Sequence, residues 1–237
     1  LYINVKTSFT HGFRYEFIDT KSNGSFSKLL FDGANNLISD TTVISQDTNT
    51  RNFIIFGIGV SHRKTNEIEF YANFSQNYRS VTFADISIVN PAFTINPNIT
   101  DEKGFTGNLG IKGILSGKLS YDINYFYLSY QDRIGFIQKI QQDGNVKSER
   151  GNVGNARIFG FESLFEYVLF KESERDTRIT PFLNSAFLNS VYISAEQNGI
   201  VGNEVEFIPK VNLKSGITYS YKDFSGSFQY TFLSQQY

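Results

Sequence analysis

The 237-residue chain contains no cysteine, no tryptophan and only two histidines, His11 and His62. Without thiols it has neither a disulfide scaffold nor a thiolate metal site. The two histidines fall on separate stretches with no acid beside either in a triad-like pattern, which leaves little for nucleophilic catalysis. Charge of one sign is lacking too: 22 basic residues face 23 acidic ones, for a formal net charge of -1, and no basic run stands out. That balance argues against a partner bound by neutralising nucleic-acid phosphates. No apolar run approaches the roughly 18 residues of a membrane helix; the longest is "FIIFGIGV" at 53 to 60. A helical membrane protein is excluded, but a membrane crossed by strands is not, because those need only about 9–11 residues, half of them apolar. Neither an initiator methionine nor a signal peptide is present and Leu1 opens in what reads as folded sequence, so the chain is expected to be an excerpt from a longer precursor.

What is abundant is aromatic surface, 24 Phe and 14 Tyr, in a chain of mean hydropathy -0.26. That combination suggests oily residues spread along strands by alternation. In "EIEFYANFSQNYRS" (67 to 80), Ile68, Phe70, Ala72, Phe74 and Tyr78 share one parity, and Glu67, Glu69, Tyr71, Asn73, Ser75, Asn77 and Arg79 the other. A period of two is a strand. The pattern recurs at 5 to 17, 105 to 115, 119 to 127, 159 to 169, 211 to 221 and 224 to 232, and more weakly at 52 to 62 and 178 to 193, for about nine strands.

Tight turns are expected at 63 to 66, 116 to 118, 171 to 177 and 222 to 223, and long connections at about 20 to 50, 80 to 104, 138 to 152 and 195 to 206. In an up-and-down antiparallel sheet, tight turns that alternate with long ones gather at opposite ends. This asymmetry, with strands longer than the usual 5–6 residues or so, points to an all-β transmembrane barrel segment with short periplasmic turns and long extracellular loops. A soluble sandwich or lipocalin-like barrel is the alternative. An odd strand count implies further strands, because single-chain bacterial barrels use even numbers and lipid cannot satisfy an open edge.

Candidate chemistry is sparse. "GIG" at 57 to 59 lacks the strand-to-helix setting of a phosphate loop and reads as glycine easing strand packing. Glu162 and Glu166 share a face, as an acid–base pair would, but lumen lining explains them more simply, together with Glu69, Asn73, Asp122 and Asn124. "DG" at 32 to 33 and 143 to 144 marks turns within long loops. Arg79, beside Asn77, and Arg51 sit near the long-loop end, where planar guanidinium groups suit an anionic, carboxylate-bearing ligand. The plainer reading pairs these arginines with loop acids or lipopolysaccharide phosphates. No enzyme and no resident cofactor are expected.

Several stretches resemble one family. "GFRYEFID" (12 to 19), "NYRSVTFADI" (77 to 86) with "PNITDEKGFTGNLGIKG" (97 to 113), "GNVGNARIFGFESLFEY" (151 to 167) and "FIPKVNLKSGITYSY" (207 to 221) are similar, in order and spacing, to barrel strands of TonB-dependent outer-membrane receptors, and more loosely to the ferric-dicitrate branch. The resemblance implies a barrel of about 22 strands around an N-terminal plug that lies, with the first and last strands, outside this sequence. It also implies uptake of an iron chelate such as ferric citrate or another siderophore, powered by TonB contacting the plug, in the outer membrane of a Gram-negative bacterium. The partners would be TonB, the chelate as cargo, the bilayer and lipopolysaccharide. A passive porin and a soluble ligand-binding β-protein remain as alternatives.

Overall fold

A computed structural model describes residues 2–4, 6–86, 93–140, 144, 146–172 and 177–236. Twelve strands, β1 (Tyr2–Asn4), β2 (Thr7–Phe31), β3 (Leu37–Arg63), β4 (Ile68–Arg79), β5 (Phe93–Ile95), β6 (Glu102–Leu115), β7 (Leu119–Ile140), β8 (Val146–Tyr167), β9 (Phe170–Glu172), β10 (Thr177–Ala195), β11 (Val211–Tyr221) and β12 (Phe224–Leu233), join in one sheet. Its order is β1-β2-β3-β4-β6-β7-β8-β10-β11-β12, with β5 on β8 and β9 on β10. All pairings described are antiparallel except β5 with β8. The nine long strands coincide with the nine alternating stretches. Val5, part of the first expected strand, residues 173–176 of one expected turn and Asp143 of the second "DG" lie outside the described residues.

The chain divides into a larger unit, Leu1–Gly12 with Phe56–Tyr237, and a smaller one, Phe13–Ile55. The smaller unit corrects the sequence reading: residues 20 to 50 are not a long loop but the rungs of a hairpin turning at Asp32 to Asn36. Asp32 makes the turn, its Oδ1 accepting the amides of Ala34 (2.9 Å) and Asn36 (2.8 Å), while Asn35 takes φ 64°. "DG" is thus a hairpin tip. The same correction applies at 138 to 152, where β7 runs on to Ile140 and β8 restarts at Val146. Polar, weakly alternating sequence still forms ladder when it pairs with its own hairpin partner, because main-chain hydrogen bonds do not need an apolar face.

In the larger unit the register sorts side chains onto two faces. One row runs Ala72, Leu109, Tyr125, Phe161, Phe187; the next runs Tyr71, Gly110, Asn124, Glu162, Ala186, Asn212 on the opposite face. The aromatic face is uncovered: Phe70, Phe161 and Phe228 are 42%, 58% and 72% exposed. A soluble sandwich would bury that face. On β8 it extends from Arg157 to Tyr167, about 34 Å of strand, which at about 45° of tilt crosses about 24 Å, close to the apolar band of an outer-membrane barrel. Ser163 and Ser185, which share that face, hydrogen-bond each other at 2.7 Å, the arrangement expected where no water is at hand to satisfy them.

The buried side chains gather at the end carrying the long connections: Val81, Ile134, Val153, Ala156, Ile158, Tyr192 and Val205. A bulge builds that end. The β7–β8 register slips between Tyr130 and Arg133 and again before Ile134, Asp132 takes φ 55°, and its amide donates to Asn155 Oδ1 at 2.9 Å. Gly154, at φ 155°, lies against the Ser194 carbonyl, where a Cβ would collide. The slip brings Val153 and Ala156, of opposite parity, into one cluster with Tyr192 and Val205.

Candidate functional site

Beyond the bulge, β7 and β8 continue as a projecting hairpin, and two connections fold onto it. The first, residues 80 to 101, carries a single helical turn, α1 (Phe83–Ile86), and β5. Asp85, almost wholly buried, accepts from Arg79 Nη2 (2.9 and 3.0 Å), Arg150 Nη2 (2.6 Å), the Thr82 amide (2.9 Å) and the Thr82 hydroxyl (2.7 Å). Burial alone would raise its pKa, but the hydrogen bonds from Arg150, Thr82 and Arg79 outweigh it and hold the carboxyl far below the usual carboxylate range. Arg79 reaches a second acid, Glu102, at 3.2 Å, and that oxygen also accepts the Ile134 amide at 2.7 Å. Arg150 lies over the Phe136 ring, 4.7 Å from its centroid, and Phe93 meets the same ring edge-on. Asn152 completes the fastening by accepting the Thr100 amide (2.7 Å) and donating to the Thr100 (2.9 Å) and Asp132 (2.6 Å) carbonyls.

The second connection, 196 to 210, packs Val205 against Tyr192, Val153 and Ala156. Glu206 accepts from Arg133 Nη1 at 2.7 Å and from the Tyr192 hydroxyl at 2.9 Å, and Arg133 also donates to that hydroxyl. Burial would raise the Glu206 pKa, yet the Arg133 bond and the others bring it below its ordinary value.

Of the residues expected at the ligand end, Arg79 lies in this network, and Asn77 sits one step below it, donating from Nδ2 to Thr106 Oγ1 at 2.6 Å. Arg51 belongs to the smaller unit. The six residues expected to line a lumen all lie on the polar face. Tyr71 donates to Asp122 at 2.7 Å, and Glu69 pairs with Lys112 (3.3 Å) and Arg63 (3.8 Å). Asn124 stands opposite Glu162, and Asn73 beside Gly59. Glu166 joins Glu69, Lys112 and Asp122 around a recess of about 510 Å³ at the tight-turn end. His62 is accounted for by the Thr7 hydroxyl, 2.9 Å from Nδ1. Sequence reasoning missed Asp85, Glu102, Arg133, Arg150, Tyr192 and Glu206. Their partners lie up to 73 residues away, and no local spacing marks them.

A family model described as the TonB dependent receptor-like β-barrel matches residues 1–237. The chain belongs to that family. Members of the TonB-dependent receptor family are Gram-negative outer-membrane transporters and receptors rather than enzymes. Solved structures agree on the fold: the copper transporter OprC (16% identity, TM-score 0.72, 98% of this chain and 34% of that one); the ferric citrate transporter FecA in its unliganded form (19%, 0.66, 98% and 30%); and the ferric yersiniabactin uptake receptor FyuA from Yersinia pestis (16%, 0.65, 91% and 29%). The chain thus spans about a third of the length of these receptors. A search of curated proteins returned no match.

Proposed function

We propose that the chain is a wall segment of an active outer-membrane transporter for an iron chelate, energised by TonB through a plug, with ferric citrate the first cargo to test. The observation that carries this reading is the opposition of faces: an uncovered aromatic face of bilayer height backs a polar face cross-linked over several strands, topped by connections fastened through Asp85 and Glu206. The first face suits lipid, the second suits a plug or water, and the connections suit ligand capture. Family membership and neighbours described as a ferric citrate transporter and a ferric yersiniabactin uptake receptor support the cargo class.

In this account Glu69, Asn73, Asp122, Asn124, Glu162 and Glu166 hydrogen-bond the plug or lumen water. Arg79 and Asn77 meet the anionic chelate from the loop end. Because Arg79 is held by Asp85 and Glu102, a chelate carboxylate must exchange with those acids, which makes ligand entry and movement of the 80 to 101 connection one event. The test is growth of a strain lacking the full-length gene on single iron sources, with and without functional TonB. Restored growth on one ferric chelate, dependent on TonB, supports the account. Restoration without TonB would make the barrel a passive channel, and no iron-source phenotype would remove the cargo class.

A further inference from the structure

Both connections are fastened at the bulge of β7. At Asp132 the chain takes a left-handed turn, φ 55°, which a non-glycine residue keeps only where its surroundings impose it. Two asparagines of β8 do so: Asn155 accepts the Asp132 amide at 2.9 Å, and Asn152 donates to the Asp132 carbonyl at 2.6 Å. Asn152 also grips the first connection, accepting the Thr100 amide at 2.7 Å and donating to the Thr100 carbonyl at 2.9 Å. One side chain thus ties the end of the 80 to 101 connection to the bulge.

The next residue serves the other connection. Arg133 lies over the Tyr192 ring, 5.7 Å from its centroid, and donates to Glu206 at 2.7 Å. Tyr192 holds the same connection by its main chain, its carbonyl accepting the Gly202 amide at 2.9 Å and its amide donating to the Asn203 carbonyl at 3.0 Å. One residue further, the Ile134 amide donates to Glu102, the acid that also holds Arg79. Bonded steps therefore run from Thr100 through Asn152, Asp132 and Arg133 to Glu206. A path of contacts does not by itself couple two sites; an element with two arrangements does, and the register slip at a strained residue supplies one.

We infer that the β7 bulge is a shared hinge that couples the two connections, so that releasing either one loosens the other. Loss of one fastening lets Asp132 leave its left-handed turn, and the change of register then carries Arg133 off Glu206 and the Ile134 amide off Glu102 together. The coupling belongs to the fold and holds for any cargo. A chelate that exchanges at Arg79 would draw on it, freeing residues 196 to 210 along with the connection it touches.

Amide hydrogen exchange of the full-length receptor, measured without chelate, tests the hinge. Glu206→Ala should raise exchange in 196 to 210 and also, by about fivefold, in 93 to 101. Asp85→Asn should raise exchange in 93 to 101 and, by a similar factor, in 196 to 210, because coupling between two sites is reciprocal. Asn155→Ala, which removes the acceptor of the Asp132 amide, should loosen both. Exchange across β6 and β10 reports whether the barrel wall is intact, and should either acid variant lose it, the Asn155→Ala receptor decides alone. Acid variants that each loosen only their own connection over an unchanged wall would overturn the hinge, as would an Asn155→Ala receptor with both connections as protected as before. Because no chelate takes part, that result would leave the cargo reading standing.

Discussion

Arg150 on β8 and Asp85 in the β4–β6 connection, 65 residues apart, meet at 2.6 Å, with Asp85 buried and Arg79 completing the triad. This bond holds the connection against the projecting hairpin. Arg150→Ala should cost about 3 kcal/mol locally, because it leaves a buried carboxylate with one of its two arginines. Amide exchange through residues 80 to 101 should rise sharply, while exchange in β6 below Gly104 stays unchanged.

The pH response follows from the depressed Asp85 carboxyl. A pKa lower in the folded than in the unfolded chain means stabilisation fully present above the unfolded value, about 3.9, and lost as pH falls through the folded one. The connection should therefore exchange alike from pH 8 to pH 5 and begin to loosen only below about pH 4. Asp85→Asn should remove that acid response and raise exchange at neutral pH.

Ser163 and Ser185 test the solvent of the aromatic face. If hydrocarbon surrounds them, Ser163→Ala strands the Ser185 hydroxyl and should cost about 1–2 kcal/mol, while the double alanine should be nearly neutral. Folding equilibria in lipid vesicles measure both. In water-facing positions neither change would register.

Gly110 lies under the Tyr71 ring, where a Cβ would collide. Gly110→Val should push Tyr71 off Asp122 and reduce the fraction of receptor that resists unfolding in detergent. Gly107→Ala, on the other face with open space around it, should leave that fraction unchanged.

The fold is legible because alternation reports which side chains share a face, and it does so within ten residues: the parity of Glu69, Asp122 and Glu162 alone puts them on the polar face. Hairpin length was not legible. Residues 20 to 50 carry polar side chains on both parities, yet main-chain pairing, helped by the Thr50 hydroxyl donating to Asp19 Oδ1 at 3.1 Å, holds them extended. The loop-end network was hidden for a different reason. Arg150 and Asp85, or Arg133 and Glu206, become neighbours only after a bulge shifts β7 against β8 and two connections fold back, and a lone charge in a loop gives no sign of its partner.

The central claim is that the Phe and Tyr face meets lipid. Because the chain has no cysteine, single cysteines at consecutive positions 159 to 166 can carry nitroxide labels in the receptor in bilayers. Phe159, Phe161, Ser163 and Phe165 sites should be open to oxygen and shielded from a water-soluble nickel relaxant, with Gly160, Glu162, Leu164 and Glu166 sites showing the reverse or no lipid contact. Strong nickel access at the odd positions, with oxygen preference at the even ones, would contradict the account.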